Sequence, residues 1–251
     1  MVLMALLIPW LATLAYGFSE RWDRSIWPEG LTLRWFAMLA EDARTVEAIV
    51  RTLLLAGACA TLALVAGTAA SLGGLMGSRR LVRLLKVFDL LPYALPAVVI
   101  AVGALDVFIG RGWAGGLPLW AIYVLCATPL LLPVVHKAVA AAWSQLDAGP
   151  LLEASRTLGA GDGRFMLRVM LPLLAPQLLA AWLLSWVTAA MEFAIANLLL
   201  GAQMELLQPL MNGLRNTNGH QVAALVAVSF ILVAVVATLV QGLMSWNERR
   251  S

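Results

Sequence analysis

The sequence predicts an all-α, polytopic membrane protein of about six spanning helices, and three observations carry that expectation. Of the 251 residues, 62% are hydrophobic and only 12% are charged. A soluble domain holds about a quarter charged residues and less than half apolar ones. The apolar residues fall in runs near the ~20 that cross a bilayer, and the basic residues gather at the ends of those runs, where membrane orientation uses them. The net charge of +3 does not describe a nucleic-acid groove, because no basic stripe is interleaved with aromatics. Cys59 and Cys126 lie inside apolar runs, without the spacing of a metal site or disulfide framework.

Residues 1–19 are uncharged and form the first expected span. They lack the leading Lys or Arg and the small-residue cleavage site of a signal peptide, so they read as a retained helix. Residues 20–51 are the most polar stretch and contain Trp22, Trp27, Pro28 and Trp35. An external loop with a short amphipathic helix at the interface fits them. The run 52–78 spans next and ends at Arg79, Arg80, Arg83 and Lys86. The run 87–110 contains Pro92 and Pro96, which predict a kinked span. Its Asp89 is expected to pair locally with Lys86, and its Asp106 falls near the outer interface.

A glycine-rich turn over 111–116 leads into a span over 117–135 that ends at His136 and Lys137. A polar segment follows, and then a long run over 169–200 interrupted only by Glu192. Residues 201–220 read as a second external loop, capped by Asn212, Asn216, Asn218 and His220, and 221–246 as the last span. Six spans leave both termini on one side. The basic groups at 79–86, 136–168 and 249–250 share that side, which the positive-inside tendency makes cytoplasmic. The five arginines of the first loop oppose this count, so orientation leans on the segment described next.

Residues 147–168 carry the most information. Asp147 or Gly149 can cap a short helix with Pro150 as its first residue. Leu151, Ala154, Ser155 and Leu158 then share one face, and Gly159 can close the helix at positive φ. Gly161 and Gly163 let the chain turn, Asp162 can cap a second helix carrying Arg164 and Arg168, and Leu171-Pro172 enters the membrane. The result is a short amphipathic helix on a tight turn, too small to fold alone and in need of a groove in a partner.

This segment resembles the signature loop of permease subunits of ABC importers that depend on a binding protein. Glu153-Ala154-Ser155, then Gly159, then Val169-Met170-Leu171-Pro172 keep that loop's spacing, with Ser155 and Val169 as small departures. The likeness extends from about Trp35 to the C-terminus. Pro92-Tyr93-Ala94-Leu95-Pro96 is similar to permeases for polyamines, ferric iron, thiamine and 2-aminoethylphosphonate.

The resemblance implies a single transmembrane permease domain over 1–251, with a periplasmic loop at 20–51 and a five-helix core at 52–246. It implies a bacterial inner (cytoplasmic) membrane location. The helix Glu153–Gly159 becomes a cytoplasmic coupling helix docking on a separate ATPase, with Glu153, Ala154, Ser155, Leu158, Gly159, Leu171 and Pro172 as the coupling residues. ATP and Mg belong to two ATPase subunits, and this chain holds no cofactor, catalytic residue or metal. A second permease, the same chain or a different one, completes the pathway, and a periplasmic or lipid-anchored binding protein delivers the substrate. The choice among the four substrate classes stays open.

Ionisable groups inside a membrane are costly and default to functional candidates. Glu192, with Thr188 and Ser185 at helical spacing, is the candidate pathway face, and a structural carboxylate bonded to a neighbouring helix is the equal alternative. Asp106 is a lesser pathway candidate. A secondary transporter or channel is the competing function, but it needs no docking helix and often shows paired broken helices. An enzyme is disfavoured, because no nucleophile elbow or phosphate-cradling loop is present and the glycines at 159, 161 and 163 lack the Lys-Ser/Thr of a P-loop.

Overall fold

The computed structural model describes residues 2–22, 25–113, 115–201 and 203–248. The terminal Arg249 and Arg250, on which part of the orientation expectation rests, lie outside these residues.

The chain opens with α1 (Val2–Phe18). At about 1.5 Å per residue, its 17 residues sit at the short limit for crossing a bilayer. The polar stretch after it is more ordered than a loop. A two-stranded hairpin, β1 (Ser19–Arg21) against β2 (Glu29–Leu31), is followed by the expected amphipathic helix, α2 (Arg34–Glu41), which buries Leu39. Next, α3 (Ala43–Leu75) starts at Ala43 rather than at the expected Thr52. The reason is local: Asp42 caps α3, accepting the Arg44 and Thr45 amides and the Thr45 hydroxyl. The Thr45 hydroxyl bond holds the Asp42 carboxyl below its usual range.

The third span is broken, not merely kinked. Helix α4 (Arg79–Ala94) and the helix Ala97–Gly110, which begins as α5 (Ala97–Ala104), meet at 104°. Pro96 stands at the N-cap of α5, where its fixed φ and missing N–H start a new helix instead of continuing the old one. The arginines of α4 thereby belong to a helix that packs on α3 and α6, with Leu85 buried.

Then come α6 (Leu119–Gln145), α7 (Ala148–Thr157) and the continuous helical stretch Asp162–Ala190. That stretch contains α8 (Asp162–Phe165) and α9 (Leu171–Ala190). The long run 169–200 is two pieces: the helix stops at Ala190, and a wide helical turn over Ala196–Leu200 follows. The stretch expected to be a second external loop holds a helix, α10 (Leu207–Leu214), and α11 (Gly219–Glu248) ends the described chain. Among the described residues, four helices are long and apolar enough to span alone, and the bent pair makes up to a fifth.

The core is the packing of α3, α6 and α9 on one another. Helices in lipid gain little from hiding apolar surface, so they approach closely through small residues. Gly67 of α3 shows this: a Cβ there would lie 2.9 Å from the Val135 side chain of α6. Cys59, Ala60 and Ala63 are fully buried on the same helix. At the end of the bundle remote from α7, Thr52 accepts the Leu207 amide at 2.8 Å, and Arg44 clasps Glu205 with two nitrogens. These bonds tie α3 to the segment leading into α10.

Candidate functional site

Helix α7 begins one residue past Asp147, which adopts a left-handed conformation with φ 46° and makes no side-chain cap. The helix therefore starts two residues before the expected Pro150, and Asp147, one of the two expected caps, holds the cap position without a side-chain bond. Ala148 and Leu152 are buried and anchor the helix to the bundle. Leu158 is 86% exposed and Leu151 41%. Ala154 is exposed beside them, while Ser155 is half-buried and donates its hydroxyl to the Leu152 carbonyl. The sequence places these four residues on one face, and that face is apolar and turned largely outward.

The end of α7 is closed as expected. Gly159 has φ +76°, its amide donates to the Arg156 carbonyl, and the Ala160 amide donates to the Ser155 carbonyl, both at 3.0 Å. This reciprocal pair satisfies carbonyls that a helix end otherwise leaves open. Glu153 is exposed and enters no hydrogen bond or ion pair among the described residues.

A clip that the sequence reading missed holds this helix to the next one. The Arg156 guanidinium meets the Asp162 carboxylate in a two-pronged bond, at 2.8 and 2.9 Å. That bond lowers the Asp162 pKa and raises that of Arg156. The cap of α8 is Gly161, so Asp162 serves as the clip rather than as the expected cap. Opposite charges flanking a glycine turn were the available signal. Leu171 and Pro172 follow at the start of α9, with Leu171 half-buried and Pro172 exposed.

The pathway candidates part company. The helix ends before Glu192, so Ser185, Thr188 and Glu192 do not form one continuous face. Ser185 is fully buried. Thr188 is exposed and donates to the Leu184 carbonyl. Glu192 lies at the break, and its two carboxylate oxygens accept the Ile195 and Ala196 amides at 2.8 and 2.9 Å. It caps the turn that follows, a role neither sequence alternative included.

Asp106 is paired with Arg111 at 3.1 Å and is largely exposed. Asp89 does not pair with Lys86: its carboxylate faces His136 of α6 at 3.6 Å, and the other ring nitrogen of His136 lies 3.1 Å from the Ser71 hydroxyl of α3. Asn218 accepts the Gln221 amide at the start of α11, while His220 stacks between Tyr16 and Trp35.

Residues 63–251 match the family model described as the inner membrane component of binding-protein-dependent transport systems. The chain is 24% identical to the putrescine transport system permease protein PotI of Escherichia coli, over 96% of this chain and 87% of that protein. It is 23% identical to the spermidine/putrescine permease protein PotC of Haemophilus influenzae, over 80% and 77%. Among solved structures it shares its fold with a bacterial ABC transporter that imports the acidic polysaccharide alginate. There the TM-score is 0.69 and the identity 16%, over 99% of this chain and 95% of the other. The methionine transporter MetNI gives a TM-score of 0.63 and 17% identity, over 80% and 95%. A short helix with an outward apolar face, carried on a membrane bundle of this fold and covered by this family match, identifies the chain as a multi-pass inner membrane permease subunit of the binding-protein-dependent ABC importers.

Proposed function

We propose that this permease docks a separate ATPase through α7 and carries a short polyamine. The observation that carries the docking is the state of α7: anchored by Ala148 and Leu152 yet presenting Leu151, Ala154 and Leu158 outward. A ten-residue helix is not stable alone in water, and burying a leucine is worth ~2 kcal/mol. A groove in a partner therefore gains by covering this face, and the unpaired Glu153 favours a basic group there.

ATP and Mg act on that partner. Closure of two ATPase subunits moves α7, and the clip Arg156–Asp162 passes the motion into α8 and α9 as a rigid-body displacement. In this reading α7 and both termini lie on the cytoplasmic side. A second permease and a binding protein complete the importer. Thr188 and Asp106 are the members of the candidate pathway group left exposed, Asp106 in its pair with Arg111, while Glu192 shapes the break beside Thr188. The polyamine class rests on the likeness to putrescine and spermidine permeases and not on Glu192, whose charge is already engaged.

The test is co-purification of the tagged permease with its ATPase, repeated with Glu153→Arg and Gly159→Pro. Proline can neither reach positive φ nor donate the amide that closes α7. Recovery of the ATPase with the wild type and its loss with both variants is the expected result. Unchanged recovery with the variants would end the docking assignment. Binding-protein-dependent uptake of labelled putrescine, absent without ATP, tests the substrate class separately.

A further inference from the structure

At the end of the bundle remote from α7, the packing of α1 against α11 leaves a side-opening groove. The two helices touch where Gly17 meets Ala223: a Cβ on Gly17 would lie 3.0 Å from the Ala223 backbone. Beside this contact is a cavity of about 460 Å³. Its walls include Val222 and Val226, and its mouth carries Tyr16, Trp22, Arg215 and Gly219.

Four features of the groove point the same way. The flank of α1 near it is apolar and outward, with Ile8, Trp10 and Leu11 each more than half exposed, as a surface against lipid chains requires. Arg215 is exposed and pairs with no acid among the described residues. The first residue of α11 is Gly219 at the cavity mouth, so the positive end of a 30-residue helix adds to the Arg215 charge. Trp22 and Tyr16 supply the amphipathic rings that settle at headgroup level.

We propose that this groove binds an anionic phospholipid, with an acyl chain along Val222 and Val226 and the phosphate on Arg215 at the start of α11. The charge complementarity selects a headgroup lacking its own cation, such as phosphatidylglycerol, over phosphatidylcholine. The bound lipid fills the groove beside the Gly17–Ala223 contact of α1 and α11.

The full chain, purified within its transport complex, is placed in nanodiscs of phosphatidylcholine doped with brominated phosphatidylglycerol or brominated phosphatidylcholine. Quenching at Trp22 is read as the difference between the wild type and Trp22→Phe. Bromo-phosphatidylglycerol is expected to quench at roughly five-fold lower mole fraction, the ratio for ~1 kcal/mol from one basic group at a lipid surface. Arg215→Gln should erase that preference and Arg215→Lys should keep it. Val226→Phe, which fills the groove, should weaken quenching by both lipids. Equal quenching by the two lipids in the wild type would overturn the assignment, as would a preference that survives Arg215→Gln. Shielding of Trp22 from both lipids would overturn it too, by showing the groove covered by protein.

Discussion

Glu153 on α7 and Glu192 at the break after α9 are both carboxylates that the sequence marks as candidates, and their surroundings are opposite. Glu153 is exposed and enters no hydrogen bond or ion pair among the described residues. Glu192 is half-buried and spends both oxygens on backbone amides. The difference follows from the solvent available to each. Water screens an unpaired charge at little cost, so α7 can hold one in reserve for a partner. A charge within the bundle must be satisfied where it sits. A half-buried carboxylate therefore reports first on local architecture, whereas an exposed one on the docking face proposed for α7 is free to report on a partner.

The largest effects should separate the two. Glu192→Ala removes the acceptor of two amides in a half-buried turn, at a cost of about 2–3 kcal/mol. Thermal unfolding of the purified permease in detergent should show it as a clear drop in midpoint. Glu153→Ala should leave that midpoint within ~0.5 kcal/mol of the wild type yet weaken ATPase recovery. If Glu192→Ala abolished uptake while unfolding at the wild-type temperature, its carboxylate would belong to the pathway and the comparison would fail.

Asp89 is the intermediate case. One of its oxygens faces His136, which also meets Ser71, so one imidazole ties α4 to α6 and α3. His136→Ala should cost ~1–2 kcal/mol, since it removes polar partners from partly buried groups. Lys86→Ala should cost less than half of that, because Asp89 does not pair with it. The same unfolding measurement ranks the two, and the reverse order would restore the local Asp89–Lys86 pair that sequence spacing suggests.

These cases show why some features were legible in the sequence and others were not. Long apolar runs announce α3, α6, α9 and α11, because a bilayer demands length and composition that little else does. The closure of α7 was legible because only glycine takes φ +76° at no cost. The Glu192 break was hidden, because the run from Val169 to Leu200 contains no glycine after its start and no proline beyond Pro176 to mark an ending. The pairing of Asp89 with His136 joins residues distant in sequence, and near neighbours such as Lys86 compete for the reader's attention. The start of α3 at Ala43 was missed because charged residues in 43–51 read as loop. Asp42 three residues before Thr45 was the unread cap signal.

Glycines around α7 sharpen the contrast at a smaller scale. Gly159 and Gly161 both have open space where a Cβ would go, so only backbone conformation distinguishes them. Gly159 sits at positive φ, while Gly161 has φ −69° and ψ 149°, which any residue adopts. Gly159→Ala should cost about 1 kcal/mol and reduce ATPase affinity by roughly five- to ten-fold. Gly161→Ala should do neither. Titration of the ATPase onto immobilised permease reads both, and equal losses would show that bulk rather than backbone geometry governs the dock.

The smallest effect belongs to the Arg156–Asp162 clip, whose charges are solvent-exposed and screened by salt. Bonding to Arg156 depresses the Asp162 carboxyl in the folded state. Its contribution is therefore complete above the unfolded carboxyl value near 4 and disappears as pH falls through the lower folded value. Hydrogen exchange at the amides of residues 160–164 should stay slow, after correction for intrinsic rates, from neutral pH down to about 5. Asp162→Asn should raise that exchange at neutral pH and leave global unfolding unchanged. Because α7 is also held by Ala148 and Leu152, the variant should keep its ATPase bound but lower the uptake obtained per ATP consumed. A normal ratio of uptake to hydrolysis would mean that the anchors alone transmit the stroke, and that the clip only orders the turn.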